Sequence, residues 1–99
     1  MFIVRILFNI KSDQVAEFKQ VAQEVVALGR QMTGCRYYEI FAAQSTPNAY
    51  LLYEEWDTKE NFYAFKASAT FKEIGDKLTP SLDGAPSSIY FSADIVEQH

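Results

Sequence analysis

The chain has 99 residues, a net charge of −4 and a hydrophobic content of 48%. That length holds one core, read as a single domain over residues 1–99, and the apolar content excludes disorder. The acidic balance, with lysines and arginines scattered singly, excludes a basic surface for nucleic acid or anionic membrane.

Cys35 is the one cysteine, so no internal disulfide can form. No apolar run approaches the roughly 18 residues a membrane span needs. The opening MFIVRILFNIK lacks a basic n-region and a small-residue cleavage site, so it reads as a strand and not a signal peptide. A reducing cytoplasm is the expected location.

Phe2–Ile10 is rich in β-branched and aromatic residues and predicts the first strand. Phe2, Val4, Ile6 and Phe8 make a wholly apolar face. Ile3, Arg5, Leu7 and Asn9 make a half-apolar one, so burial on both sides and a central place in a sheet are expected. Ser12 is an N-cap candidate for a helix of about five turns, in which Val15, Phe18, Val21, Ala22, Val25, Leu28 and Met32 recur at helical spacing. Gly34 is its natural stop.

Cys35–Ala43 predicts a second strand, and Ser45, Pro47 and Asn48 supply a turn into a third, Tyr50–Trp56. Asp57 with Glu60 three residues on reads as a capping box. Two short helices then follow, about Thr58–Ala67 and Thr70–Leu78, with Gly75 weakening the second. Residues 79–87 form a loop carrying two prolines, and Ser88–Glu97 returns as a last strand. The order β-α-β-β-α-α-β is the ferredoxin-like split βαβ plan of the α+β class: a four-stranded antiparallel sheet with helices on one face and strands one and three central.

Helices on one face leave the other uncovered, yet the first three strands carry large apolar residues on both. A patch of that size is more than soluble monomers tolerate, so a homodimer packed through its sheet faces is expected.

Seven aromatics crowd Tyr50–Phe71, at the corner between strand and helix. Trp56 sits at that corner with an indole donor, as pocket wall or structural anchor. Asn9 ends an apolar strand and could bind a phenol or oxyanion, or satisfy backbone there. Tyr38, Tyr53, Tyr63 and Tyr90 are phenols that could donate to a bound oxygen, or fill core and interface. Arg5 needs an anion if buried, for which Glu39, Glu54 or a partner's carboxylate could serve.

Glu54 and Glu55 point to opposite faces and cannot form an acid/base dyad; one is read as a rim or interface carboxylate. Cys35 reads as a packed small hydrophobe. The only histidine is His99, the last residue given, which leaves no histidine triad, buried histidine base or histidine-rich metal site. No phosphate loop, CxxC or carboxylate cluster of metal spacing occurs, so no cofactor and no metal are implied.

Certain features together are similar to a known family: the apolar first strand, Gly34-Cys35, Pro47-Asn48, Glu54-Glu55-Trp56-Asp57 and the break Ala67-Ser68-Ala69-Thr70-Phe71. Over about residues 2–97 the chain resembles the antibiotic biosynthesis monooxygenase group of the dimeric α+β barrel superfamily. The resemblance implies a pocket between sheet and helices, roofed by the helices after Trp56, and cofactor-free oxygenation of an aromatic or quinol-type compound by O2.

Trp56 stands where an aromatic-oxidising member has a functional tryptophan. That member's asparagine falls on Leu52 and its tyrosine on Phe62, beside Tyr63. The histidines of many members fall on Phe65 and Thr70. The haem-degrading branch's asparagine, tryptophan and histidine fall near Ile6, Phe65 and Gly75, so haem degradation is not expected. The resulting site has Trp56 and Asn9 as catalytic candidates and Tyr38, Tyr63, Phe65 and Phe71 as pocket lining. Substrate deprotonation would fall to a tyrosine or to the substrate's own acidity. The alternative is a non-catalytic binding module that keeps an aromatic pocket but has lost the chemistry.

Overall fold

In the computed structural model, which describes Met1–His99, Phe2–Asn9 forms β1 and a 3₁₀ turn at Ser12–Gln14 leads into α1, Val15–Arg30. Cys35–Ala42 forms β2 and Ala49–Trp56 forms β3. Lys59–Lys66 is α2, Ala69–Leu78 is α3 and Ser87–Ser92 is β4. The sheet order is β2-β3-β1-β4 with every pair antiparallel, so β1 and β3 are central.

Strand register decides which residues meet the helices. Val4 pairs with Glu54, and Glu54 with Tyr38, so Phe2, Val4, Phe8, Tyr38, Leu52, Glu54 and Trp56 share the helix-covered face. Their apolar members join Phe18, Val25 and Val26 of α1, Phe62 and Phe65 of α2 and Ile74 of α3 in one core. The opposite face is open. There Leu7, Phe41, Tyr37, Ile89 and Phe91 remain between 42% and 48% exposed, so β1 is buried on one face rather than two, Ile3 excepted. Arg5 lies on this face opposite Tyr53 and Ile89 and forms no ion pair; Glu39 is taken by Arg30 at 2.8 Å and Glu54 points the other way.

Local chemistry shifts several expected boundaries. Ser12 caps no helix. Thr58, not Asp57, caps α2, its hydroxyl accepting from the Asn61 backbone N–H at 3.0 Å. Asp57 instead meets Arg36 at 2.8 Å. Ser68 caps α3 by accepting from Phe71 N–H at 3.2 Å, while its own hydroxyl donates to the Phe65 carbonyl at 2.6 Å. One side chain thus joins the end of α2 to the start of α3 and fixes Phe65 edge-on to Phe71, with ring centres 5.3 Å apart.

The last strand stops at Ser92, short of the expected Glu97. Ser92 pairs with Phe2, and Ala93 N–H reaches the Met1 carbonyl. Ile95 and Val96 are accordingly exposed. Gly29 lets α1 lie against the Tyr38 ring: a Cβ there would stand 2.5 Å from it. No helix is long and apolar enough to cross a membrane.

Candidate functional site

A cavity of about 190 Å³ opens between the sheet and α3. Its floor is Ile6, Phe8, Tyr38, Leu52 and Glu54, its roof Phe71, Ile74 and Leu78. Leu82 and Pro86 close one side, because the loop before β4 is tied to the end of β1 by Asp83 N–H to the Asn9 carbonyl and Lys11 N–H to the Ser81 carbonyl. Gly75, Thr79 and Pro86 line it from exposed positions and form its mouth. A larger, shallow groove of about 510 Å³ lies between α1 and β2; its charged groups are all at the surface, Arg30 and Glu39 among them.

Glu54 is the feature that distinguishes the cavity. It is 2% exposed in an apolar setting, and its Oε1 accepts the Trp56 indole N–H at 2.9 Å. Burial pushes its carboxyl up to about 7 from the ordinary 4.5, against the opposing pull of the indole hydrogen bond. Tyr38, its cross-strand neighbour, is also 2% exposed, and its phenol is raised far above the ordinary range, first by burial and then by the nearby Glu54 charge.

Neither Glu54 Oε2 nor Tyr38 Oη makes a hydrogen bond within the chain, yet no fully shielded side-chain oxygen lacks a partner. Both residues line the cavity, so neither oxygen is sealed away from it. The site can hold an apolar body and offer one acceptor and one hydroxyl to a polar edge.

Of the residues singled out from the sequence, Tyr38 and Phe71 line this cavity. Trp56 and Phe65 stand behind it: the indole is fully buried, stacked on Phe65 at 5.0 Å and edge-on to Phe62 at 5.9 Å. Trp56 thus bears on the cavity through its bond to Glu54. Asn9 is exposed on the open side of the sheet, at the end of β1, where its carbonyl anchors the loop. Tyr63 is 43% exposed on the outside of α2, among Phe2, Tyr90 and the Lys59 and Lys66 ammonium groups. Neither reaches the cavity.

Cys35 is half-buried, and burial with Glu54 nearby raises its thiol to about 11, which suits packing and not nucleophilic attack. Of the acidic pair, Glu55 faces the open side and accepts from the Tyr53 hydroxyl at 2.6 Å. No cluster of three His, Cys, Asp or Glu side chains is placed to hold a metal ion.

Glu54 is the residue that reading the sequence did not place. Its signal was parity: it alternates with Leu52 and Trp56, so it must follow them wherever they go. Because the odd positions of β3 are also apolar, nothing local said that the even face was the covered one.

Comparison with known proteins agrees with the architecture. The chain superposes on a candidate antibiotic biosynthesis monooxygenase from Deinococcus radiodurans with a TM-score of 0.89 at 19% identity, covering 100% of this chain and 98% of the other. A conserved protein from Methanosarcina mazei Go1 gives 0.86 at 22% identity, with 94% and 92% covered. A candidate monooxygenase of the same description from Caulobacter crescentus CB15 gives 0.86 at 21%, with 95% and 90% covered. At such identities the likeness shows the fold alone. No curated protein matches the sequence. The family described as "Antibiotic biosynthesis monooxygenase" matches residues 1–77, the stretch from β1 through nearly all of α3 that builds the sheet centre and the cavity roof. By that match the chain belongs to the antibiotic biosynthesis monooxygenase family.

Proposed function

We propose that this protein is a cofactor-independent monooxygenase that oxidises a small aromatic or quinol-type compound with O2 in the cavity under α3, and that it works as a homodimer. The observation that carries the reading is an apolar cavity whose floor holds a buried carboxylate. A dry site that orients an electron-rich ring and accepts its proton supplies what direct reaction with O2 needs. For a hydroquinone the reaction balances without another reductant. One oxygen atom enters the ring, the other leaves as water, and the substrate ends as a hydroxyquinone, having supplied all four electrons.

The dimer rests on the open sheet face. Leu7, Tyr37, Phe41, Ile89 and Phe91 are large apolar residues left half-exposed there, around Arg5 and Glu55, more than monomers usually leave open. A twofold axis would pack one such face on its copy.

Oxygen-electrode measurements with a panel of hydroquinones test the activity. Uptake above the spontaneous rate, reduced in Trp56→Phe, is the expected result. No uptake, with Trp56 fluorescence still answering to aromatic ligands, would replace the enzyme by a binding module.

A further inference from the structure

Within the cavity, one charge dominates. On β2, Glu54 meets Tyr38 and Cys35; on β3, the Trp56 indole. From β1 and α3 the side chains that share the cavity or pair with it are apolar: Val4, Ile6 and Phe71 among them. No cation answers it. A carboxylate so placed favours a ligand that brings a proton to share and disfavours one that brings a second negative charge.

Size narrows the choice further. A dry apolar cavity of about 150 Å³ is known to take up benzene, and this one measures about 190 Å³. It is smaller than the pockets of about 300 Å³ and more that enclose drug-sized ligands. One ring with one or two hydroxyl groups matches that volume most closely.

We propose that Glu54 is the proton acceptor of this cavity and that the ligand is an uncharged single-ring phenol, bound with its hydroxyl on Glu54 Oε2 and its ring under Phe71. The proposal rests on the reading of this cavity as the substrate site. In the step itself the ligand O–H bond breaks, the proton passes to Oε2, and the bonding pair stays on the phenolate oxygen. Oε1 keeps the Trp56 indole, so the acceptor is held still while it works. Tyr38 Oη, on the neighbouring strand, is the other buried polar group facing the ligand.

Trp56, the only tryptophan, reports on Glu54 directly. Anaerobic fluorescence titrations with phenol, benzoate and 1-naphthol test the assignment without turnover. At pH 8, phenol is expected to give a saturable change, with benzoate and 1-naphthol at least about tenfold weaker. Because the carboxyl titrates near 7, phenol should bind about tenfold more weakly at pH 6. Glu54→Gln, which keeps an acceptor for the indole, should bind phenol weakly at both pH values.

Gly75→Leu closes the mouth from an exposed helix position with open space around it and should abolish binding while leaving Glu54 untouched. Equal phenol binding by the wild type and Glu54→Gln would overturn the proposal. So would tight benzoate binding at pH 8, or unchanged phenol binding by Gly75→Leu. Glu54-dependent phenol binding with no oxygen uptake would overturn the monooxygenase reading alone. Oxygen uptake without Glu54-dependent binding would overturn this inference alone.

Discussion

Replacing Glu54 by Gln should change how stability depends on pH, in a direction set by the raised titration of the carboxyl. The folded protein holds the Glu54 proton up to about pH 7, whereas the unfolded chain releases it near 4.5. Whatever stability the neutral carboxyl supports is complete below about 4.5 and is lost as pH rises through 7, because ionisation then occurs in the folded interior. At about 1.4 kcal/mol per pH unit, the interval corresponds to about 3 kcal/mol, most of it between pH 5 and 8.5.

Gln cannot ionise and still offers an oxygen to the Trp56 indole. The stability difference, variant minus wild type, should therefore move in the variant's favour by about 2–3 kcal/mol from pH 5 to pH 8.5. Urea unfolding followed by circular dichroism at each pH measures it, and the double difference cancels every other titrating group. A difference that stays constant to within about 0.5 kcal/mol would refute the argument that Glu54 is desolvated.

The other predictions concern the supports of the site. Trp56→Phe deletes the indole donor to Glu54 and should cost about 1–3 kcal/mol at pH 8, with the carboxyl's titration moving higher, both visible in the same unfolding series. Gly75→Ala adds a methyl where nothing lies within 4 Å and should stabilise α3 by about 0.5–1 kcal/mol, read as a raised urea midpoint. Gly29→Ala would drive a Cβ to 2.5 Å from the Tyr38 ring, so a loss of about 1–3 kcal/mol is expected in the same assay. Leu7→Lys adds a further charge to the open sheet face, two residues from Arg5 and opposite Leu51; sedimentation should show the wild type as a dimer and this variant shifted to monomer.

Much of the fold is legible in the sequence, and for local reasons. Apolar spacing in Val15–Met32 can only be a helix, alternation in Phe2–Asn9 can only be a strand, and their order leaves few topologies that keep connections short. The central places of β1 and β3 follow from that plan. Boundaries were less legible where two side chains competed for one task. Asp57 and Thr58 can each cap a helix; Thr58 takes the cap, while Asp57 pairs with Arg36. The last strand's end depended on something no local pattern contains, its pairing with β1, whose last partner there is Phe2.

For the site, local pattern was enough to show that a strand of aromatics and carboxylates runs into two short helices, that Ser68 and Phe71 stand three apart at their junction, and that no histidine is placed to act as base. Which face of β3 lies under those helices is fixed by long-range pairing and packing. Both of its faces carry apolar residues, so parity alone could not choose. Pairing of Glu54 with Val4 on one side and Tyr38 on the other settles it and carries the carboxylate into the core, while Asn9 and Tyr63 stay outside. A burial that makes Glu54 chemically useful is a property of what packs over it, and that comes from α3 and the loop before β4, some twenty to thirty residues further along the chain.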